Sequence, residues 1–139
     1  MLARLILAGL LCALPAAAQE GGDVIKGRAE VVDGDTIRLA GQRVRLYGIA
    51  AIERRNPLGA ETADVLRRMA AGRFIRCEVI DIDRYDRPVG RCYAGDLDLS
   101  AEMVRRGWAA NYDRFTKEFE ALEAEARRAC KGVWRALCH

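Results

Sequence analysis

The chain has 139 residues, 51% of them hydrophobic, with 23 Lys and Arg against 20 Asp and Glu and a formal net charge of +3. That length supports one domain with a buried core. The mild basic balance excludes a polybasic tail that holds nucleic acid by charge alone.

Residues 1–18, MLARLILAGLLCALPAAA, have the layout of a secretory signal peptide. Arg4 supplies the positive end, Leu5 to Leu14 the apolar run, and Ala16 to Ala18 the small residues before a cleavage site. The run is too short to span a bilayer. Leu11 stands where a lipoprotein signal needs a small residue before its cysteine, Cys12. The reading is therefore an exported domain over 19–139, periplasmic or secreted, free of the membrane after cleavage, carrying +2 once Arg4 is lost. It is expected to be a monomer.

DVIKGRAEVV (23–32) alternates as a strand, DGD (33–35) turns it, and TIRLA (36–40) follows. Gly41-Gln42 turns again into RVRLYGI (43–49). Asn56, Pro57 and Gly59 mark a loop. A helix is predicted over 60–71, with Ala63, Leu66 and Ala70 on one face and Gly72 as its stop. RFIRCEVID (73–81) and PVGRCYAG (88–95) form a hairpin around DRYDR. Folding it about residues 84 and 85 sets Cys77 opposite Cys92, at a separation a disulfide can close. That leaves Cys130 to pair with Cys138. An even set of four cysteines suits export. A zinc site is disfavoured, because there is no C-x-x-C and the only His is His139. Two helices finish the chain, LSAEMVRR before Gly107 and TKEFEALEAEARRAC before Gly132, the second with Thr116 as N-cap and Leu122, Ala126 and Ala129 as its apolar stripe. Five strands and three helices make an α+β domain, and a small barrel hides the strand edges.

The chemistry narrows by elimination. Ser100 is the only Ser, and His139 lies at the very tail, so a Ser-His-Asp triad or a Cys-His nucleophile is excluded. Neither G-x-x-x-x-G-K-[ST] nor G-x-G-x-x-G is present. Carboxylates and guanidinium groups remain, in three places: Asp33 and Asp35 around Gly34, Arg45 with Glu53, and Asp83, Tyr85 and Arg87 in DRYDR. Each alone has an ordinary reading as a turn, an edge-strand charge or a hairpin tip.

Their order is more specific. VVDGDTI, RVRLYGI-x-x-x-E, G-A-E opening a helix, DRYDR-P-V and a C-terminal G-V-W together resemble the staphylococcal-nuclease-like, or thermonuclease, family from about Val31 to Trp134. The resemblance implies a five-stranded OB-type β-barrel with three helices, and hydrolysis of DNA or RNA phosphodiesters, usually with Ca2+. It implies Asp35 as a calcium ligand with Asp33 close to the ion. Arg45 and Arg87 become the two phosphate-binding arginines, and Glu53 the group that orients or deprotonates the attacking water. Two guanidinium groups suit the charge that gathers on an attacked phosphate. Tyr85 and Tyr112 are candidates for stacking on bases, with packing at the barrel mouth as the alternative. Trp108 and Trp134 are assigned to the core.

The chain also departs from the family pattern R-L-x-G-I-D-x-P-E. Ala50 takes the place of a calcium-ligand Asp, and Ile52 that of the proline before Glu53. Calcium affinity follows ligand charge, so Ala50 predicts weak binding. Ile52 frees the backbone that aims Glu53. Asp86 replaces a Gly and must adopt a left-handed turn beside Arg87. Strict alternation also puts Arg45 and residue 50 on opposite faces, unless Gly48 lets the chain turn between them. Three readings stay open: a nuclease, a degenerate relative that binds nucleic acid or another partner without cutting, and a disulfide-stapled scaffold.

Overall fold

The structure is a computed structural model that describes residues 22–138. The signal peptide at 1–18, Cys12, the start of the exported chain at Gln19, and His139 lie outside the described residues.

The first predicted strand is two strands, β1 (Val24–Arg28) and β2 (Glu30–Asp33). They part at Ala29, which makes an isolated bridge to Ala71. β3 (Thr36–Leu39) and β4 (Gln42–Leu46) follow, then a short β5 (Ile49–Ala51). Helix α1 (Pro57–Ala70) leads to the long hairpin of β6 (Phe74–Ile82) and β7 (Pro88–Ala94). The remainder is β8 (Leu97–Asp98), α2 (Leu99–Arg105), β9 (Ala109–Asn111), α3 (Glu120–Arg128) and a 3-10 segment, Gly132–Leu137.

The main sheet runs β1-β6-β7-β4-β3-β2, with β8 beside β7. Its two ends, β1 and β2, are consecutive pieces of one chain segment, so the sheet must curl back towards itself. Only the β4–β7 pairing is parallel, aligning Arg45 with Val89 and Leu46 with Gly90. This is the α+β, OB-type architecture expected from the sequence, with the first and third strands each broken in two.

Alternation fills the interior. Ile37, Leu39, Val44, Leu46, Ile75 and Val89 are buried from the sheet. Leu66, Ala63 and Ala70 of α1 meet them on the predicted face, joined by Val65 and Met69. Each such side chain contributes roughly 1.5–3 kcal/mol if of Val or Leu size. Trp108 packs against this core as expected, while Trp134 is half-buried under the guanidinium of Arg127, 4.1 Å from the ring centroid.

Cys77 pairs with Cys92 in register and is bonded to it, with Cα atoms 4.0 Å apart. Cys130 is bonded to Cys138. The register slips between Val79 and Asp81, so Asp81 meets Val89 and Ile82 meets Pro88. The hairpin therefore folds about Tyr85, half a residue beyond the predicted midpoint. The bulge is a local excess of one residue that alternation cannot reveal.

Two helix starts are corrected. α1 begins at Pro57 and not at residue 60, because the Asn56 side chain accepts from Leu58 N (3.0 Å) and Pro57 occupies the first turn. α3 begins at Glu120, and Thr116 is not its cap. The Thr116 hydroxyl accepts from Glu118 N instead (3.1 Å). The buried Asn111 shapes this loop: its side chain donates to Asp113 Oδ1 and the Thr116 carbonyl, and accepts from Phe119 N.

Candidate active site

Arg45 reaches the site by way of a turn. β4 ends at Leu46, and Gly48 adopts φ +75, a left-handed conformation that suits glycine. A Cβ there would also lie 2.8 Å from the Phe119 ring. The chain thereby bends between Arg45 and β5, which answers the alternation problem. Arg45 Nη2 donates to the Ile49 carbonyl across that bend (2.9 Å), and Nη1 pairs with Asp35 Oδ2 (2.9 Å).

Asp35 is the anchor beneath Arg45. Its Oδ2 also accepts from Ala51 N (3.2 Å), and its Oδ1 accepts from the Thr36 hydroxyl (3.0 Å). Burial works to raise its pKa, but the Arg45 charge and hydrogen bonds with Asp33, Arg45 and Ala51 N hold it below the usual carboxylate value. Asp33 goes the other way. Burial, then the hydrogen bond and charge of Asp35, push its carboxyl upward. Its Oδ1 accepts from Asp35 N (3.2 Å).

These residues do not fit a calcium ion. Calcium takes six to eight oxygens and favours several charged ones. Here the Asp35 oxygens already serve three donors, Asp33 is turned to a backbone N–H, and Ala50 brings a methyl group, half-buried opposite Ala110. Among the described residues no three His, Cys, Asp or Glu side chains converge on a metal position.

Arg87 is held from the other side. It follows Asp86, which takes φ 59 as the sequence required. Asp83 cradles it: Oδ1 accepts from Tyr85 N (2.9 Å) and Arg87 N (3.0 Å), and Oδ2 from Arg87 Nε (2.7 Å). Burial opposes this, but the hydrogen bonds and the Arg87 charge keep the Asp83 carboxyl below its ordinary pKa. Asp83 takes Nε, and Arg87 lines the cleft with its two terminal nitrogens left over from that bond. The acid paired with Arg87 is thus Asp83, while Asp86 serves the turn.

Glu53 is exposed, and among the described residues nothing hydrogen-bonds its carboxylate. Two backbone hydrogen bonds link its turn to the start of α1. Asn56 N donates to the Glu53 carbonyl (3.0 Å) and Gly59 N to the Asn56 carbonyl (2.8 Å). A Cβ on Gly59 would lie 2.1 Å from the Glu53 carbonyl oxygen. The start of α1 and the Glu53 turn therefore pack backbone to backbone.

Arg45, Glu53 and Arg87 line one open cleft of about 620 Å3, together with Tyr85, Tyr112 and Arg114. Asp33 and Asp35 do not line it; Asp35 lies behind Arg45. Tyr85 is 64% exposed, with Arg84 and Arg87 at 4.9 and 5.5 Å from its ring centroid. Tyr112 is half-buried, 5.6 Å from the Arg45 guanidinium carbon and 5.1 Å from the Phe115 ring. Sequence reasoning missed Arg114 and Phe115, whose signal was their position just after Tyr112. It also named Asp83 without giving it a task. Ser100 is structural, donating to the Tyr47 carbonyl (2.8 Å).

Comparison with known proteins identifies the family of the chain. A family model described as Staphylococcal nuclease homologue matches residues 43–136. The chain is 36% identical to the Succinoglycan biosynthesis protein ExoI of Rhizobium meliloti, over 94% of this chain and 74% of that protein. It is 33% identical to an Uncharacterized endonuclease of Escherichia coli O157:H7, over 79% of this chain and 77% of that one. It is 32% identical to the Probable staphylococcal-like nuclease CAN2 of Oryza sativa subsp. japonica, where the match covers 72% of this chain but 28% of the larger plant protein.

Proposed function

This chain belongs to the staphylococcal nuclease homologue family, and from that premise we propose that it is an endonuclease hydrolysing phosphodiester bonds of DNA or RNA. One observation carries the proposal: Arg45 and Glu53 from one segment and Arg87 from the distant β6–β7 hairpin line one cleft.

The substrate phosphate sits between Arg45 and Arg87. Guanidinium carries five N–H donors. Arg45 has given two to Asp35 and Ile49, which leaves three, and Arg87 has given one to Asp83, which leaves four. These donors neutralise the phosphoryl oxygens as charge gathers on them. Glu53 takes a proton from water as the water oxygen bonds to phosphorus. The bond from phosphorus to the leaving sugar oxygen breaks, and Arg87 stabilises the departing charge until solvent protonates it. Tyr85 and Tyr112 offer ring faces to the flanking bases.

Export belongs to the same proposal. The leader reading and two disulfides suit a periplasmic or secreted monomer. Among the described residues no helix is long and apolar enough to cross a membrane. A second reading, nucleic-acid binding without cleavage, is favoured by Ala50 and by the prior engagement of Asp35. Cleavage of single-stranded DNA, duplex DNA and RNA by the purified chain decides between them. The proposal expects internal cuts and their loss in Glu53→Gln. Retained binding with no cutting of any substrate selects the second reading.

A further inference from the structure

Arg45 is a tethered positive charge at the edge of the cleft. The argument rests on the nucleic-acid reading of the cleft. Asp35, the second acid of the DGD turn, lies behind Arg45 and is committed to Arg45 Nη1, Ala51 N and the Thr36 hydroxyl at 2.9, 3.2 and 3.0 Å. The position beside it is Ala50, which has no oxygen on its side chain to complete a shell. Arg45 is correspondingly held at both terminal nitrogens. It is tied at Nη1 by Asp35 and at Nη2 by the Ile49 carbonyl (2.9 Å), with a side chain only 15% exposed, yet it still lines the cleft.

A divalent ion would have to take Asp35 from Arg45, leaving a partly buried guanidinium short of its acceptor. It would gain one charged oxygen where calcium sites normally gather several. Keeping the pair costs nothing further, because the guanidinium already carries the positive charge and the directed donors a phosphate needs. We infer that phosphate binding in this cleft is independent of divalent cations, with Arg45, fixed by Asp35, as the resident cation.

The test uses the oxidised full-length chain after dialysis against EDTA. Fluorescence anisotropy follows a short labelled single-stranded oligonucleotide, with EDTA or with millimolar CaCl2. The expected result is a Kd unchanged within about twofold, under about half a kcal/mol. Calorimetry with CaCl2 alone should give no binding heat for the wild type. Asp35→Asn, checked for folding by circular dichroism, should weaken oligonucleotide binding equally in both buffers, because it loosens Arg45.

Three outcomes overturn the inference while leaving the nucleic-acid reading in place. One is tightening by calcium of tenfold or more. Another is calcium binding by the wild type at micromolar Kd. The third is an Asp35→Asn variant that loses only a calcium-dependent part of binding. Failure to bind the oligonucleotide in either buffer overturns this inference and the nucleic-acid reading together, whereas calcium-dependent binding overturns this inference alone.

Discussion

Asp83 Oδ2 accepts the Nε proton of Arg87 at 2.7 Å, while Oδ1 of the same carboxylate accepts from the backbone N–H of Arg87 at 3.0 Å. One acid thus sets both the hairpin tip and the direction of the guanidinium that leaves it. In Asp83→Ala, Arg87 keeps its charge but loses its aim. Turnover should fall about 10- to 100-fold, with KM changing less, since a misplaced group of this kind costs mainly transition-state stabilisation. A double-mutant cycle with Arg87→Ala should be strongly non-additive. Additive losses would show that Asp83 acts elsewhere.

Arg87→Ala itself should reduce cleavage by roughly 100-fold or more, about 2.7 kcal/mol of transition-state stabilisation. The fold should survive, because the side chain is 30% exposed and its partner Asp83 keeps two backbone donors. Single-turnover rates with saturating enzyme measure this directly. Undiminished cleavage removes Arg87 from the chemistry.

Gly59 does not line the cleft, yet its missing side chain lets the start of α1 pack against the Glu53 carbonyl. In Gly59→Ala the new methyl meets the Glu53 carbonyl oxygen at 2.1 Å and the Arg54 Cα at 2.8 Å. Relief of that clash must move the Glu53 turn or the first turn of α1. The expected cost is about 1–3 kcal/mol in urea unfolding, with a loss of turnover larger than that of an exposed mid-helix control such as Asp64→Ala. Equal activity in the two variants would show that Glu53 is aimed by something other than this contact.

Asp33 and Asp35 should have opposite pH signatures. The folded pKa of Asp35 is lowered despite its burial, chiefly by the Arg45 charge. Its contribution to stability is present above the ordinary carboxylate pKa and is lost as the pH falls through the folded value. The folded pKa of Asp33 is raised, first by burial and then by Asp35. Asp33 therefore lowers stability at neutral pH, and the penalty fades as acid protonates it. Asp33→Asn, which keeps an oxygen for Asp35 N, should raise stability slightly at about pH 7 and have no effect near pH 3. Asp35→Asn should destabilise at about pH 7, and that difference should shrink in acid. Denaturation of both variants from about pH 3 to 7 reads the two signs.

Removing the Cys77–Cys92 bond by a double Ala substitution should cost about 3 kcal/mol, the loop-closure value for a separation of 15 residues. Both sulfurs lie in the core, so lost packing adds to the loss. Urea midpoints before and after substitution measure it.

Several parts of this molecule were legible along the chain. The Cys77 register followed from strand alternation and the distance to the hairpin tip, because side chains on one sheet face repeat every two residues. The Asp86 turn and the face of α1 followed from local backbone preference and helical period. The start of α1 was missed because Asn56 and Pro57 read as loop residues until one is seen capping and the other sits in the first turn. The bulge between Val79 and Asp81 and the break at Ala29 left no periodic trace, since each is set by a neighbouring strand or helix end.

The sequence by itself determined which side chains are available for chemistry: with one Ser and a terminal His, arginines and carboxylates remained, and their order along the chain carried the family likeness. Tertiary structure alone decided how those groups are shared. The β3–β4 pairing sets Arg45 beside Asp35, the turn at Gly48 brings the Ile49 carbonyl to it, Gly59 packs against the Glu53 carbonyl, and the sheet brings the Arg87 hairpin to the same cleft. Residue types and spacing record what a side chain can offer. Whether an acid is free for a metal or already paired with a guanidinium depends on distances between segments that only the folded sheet brings within reach.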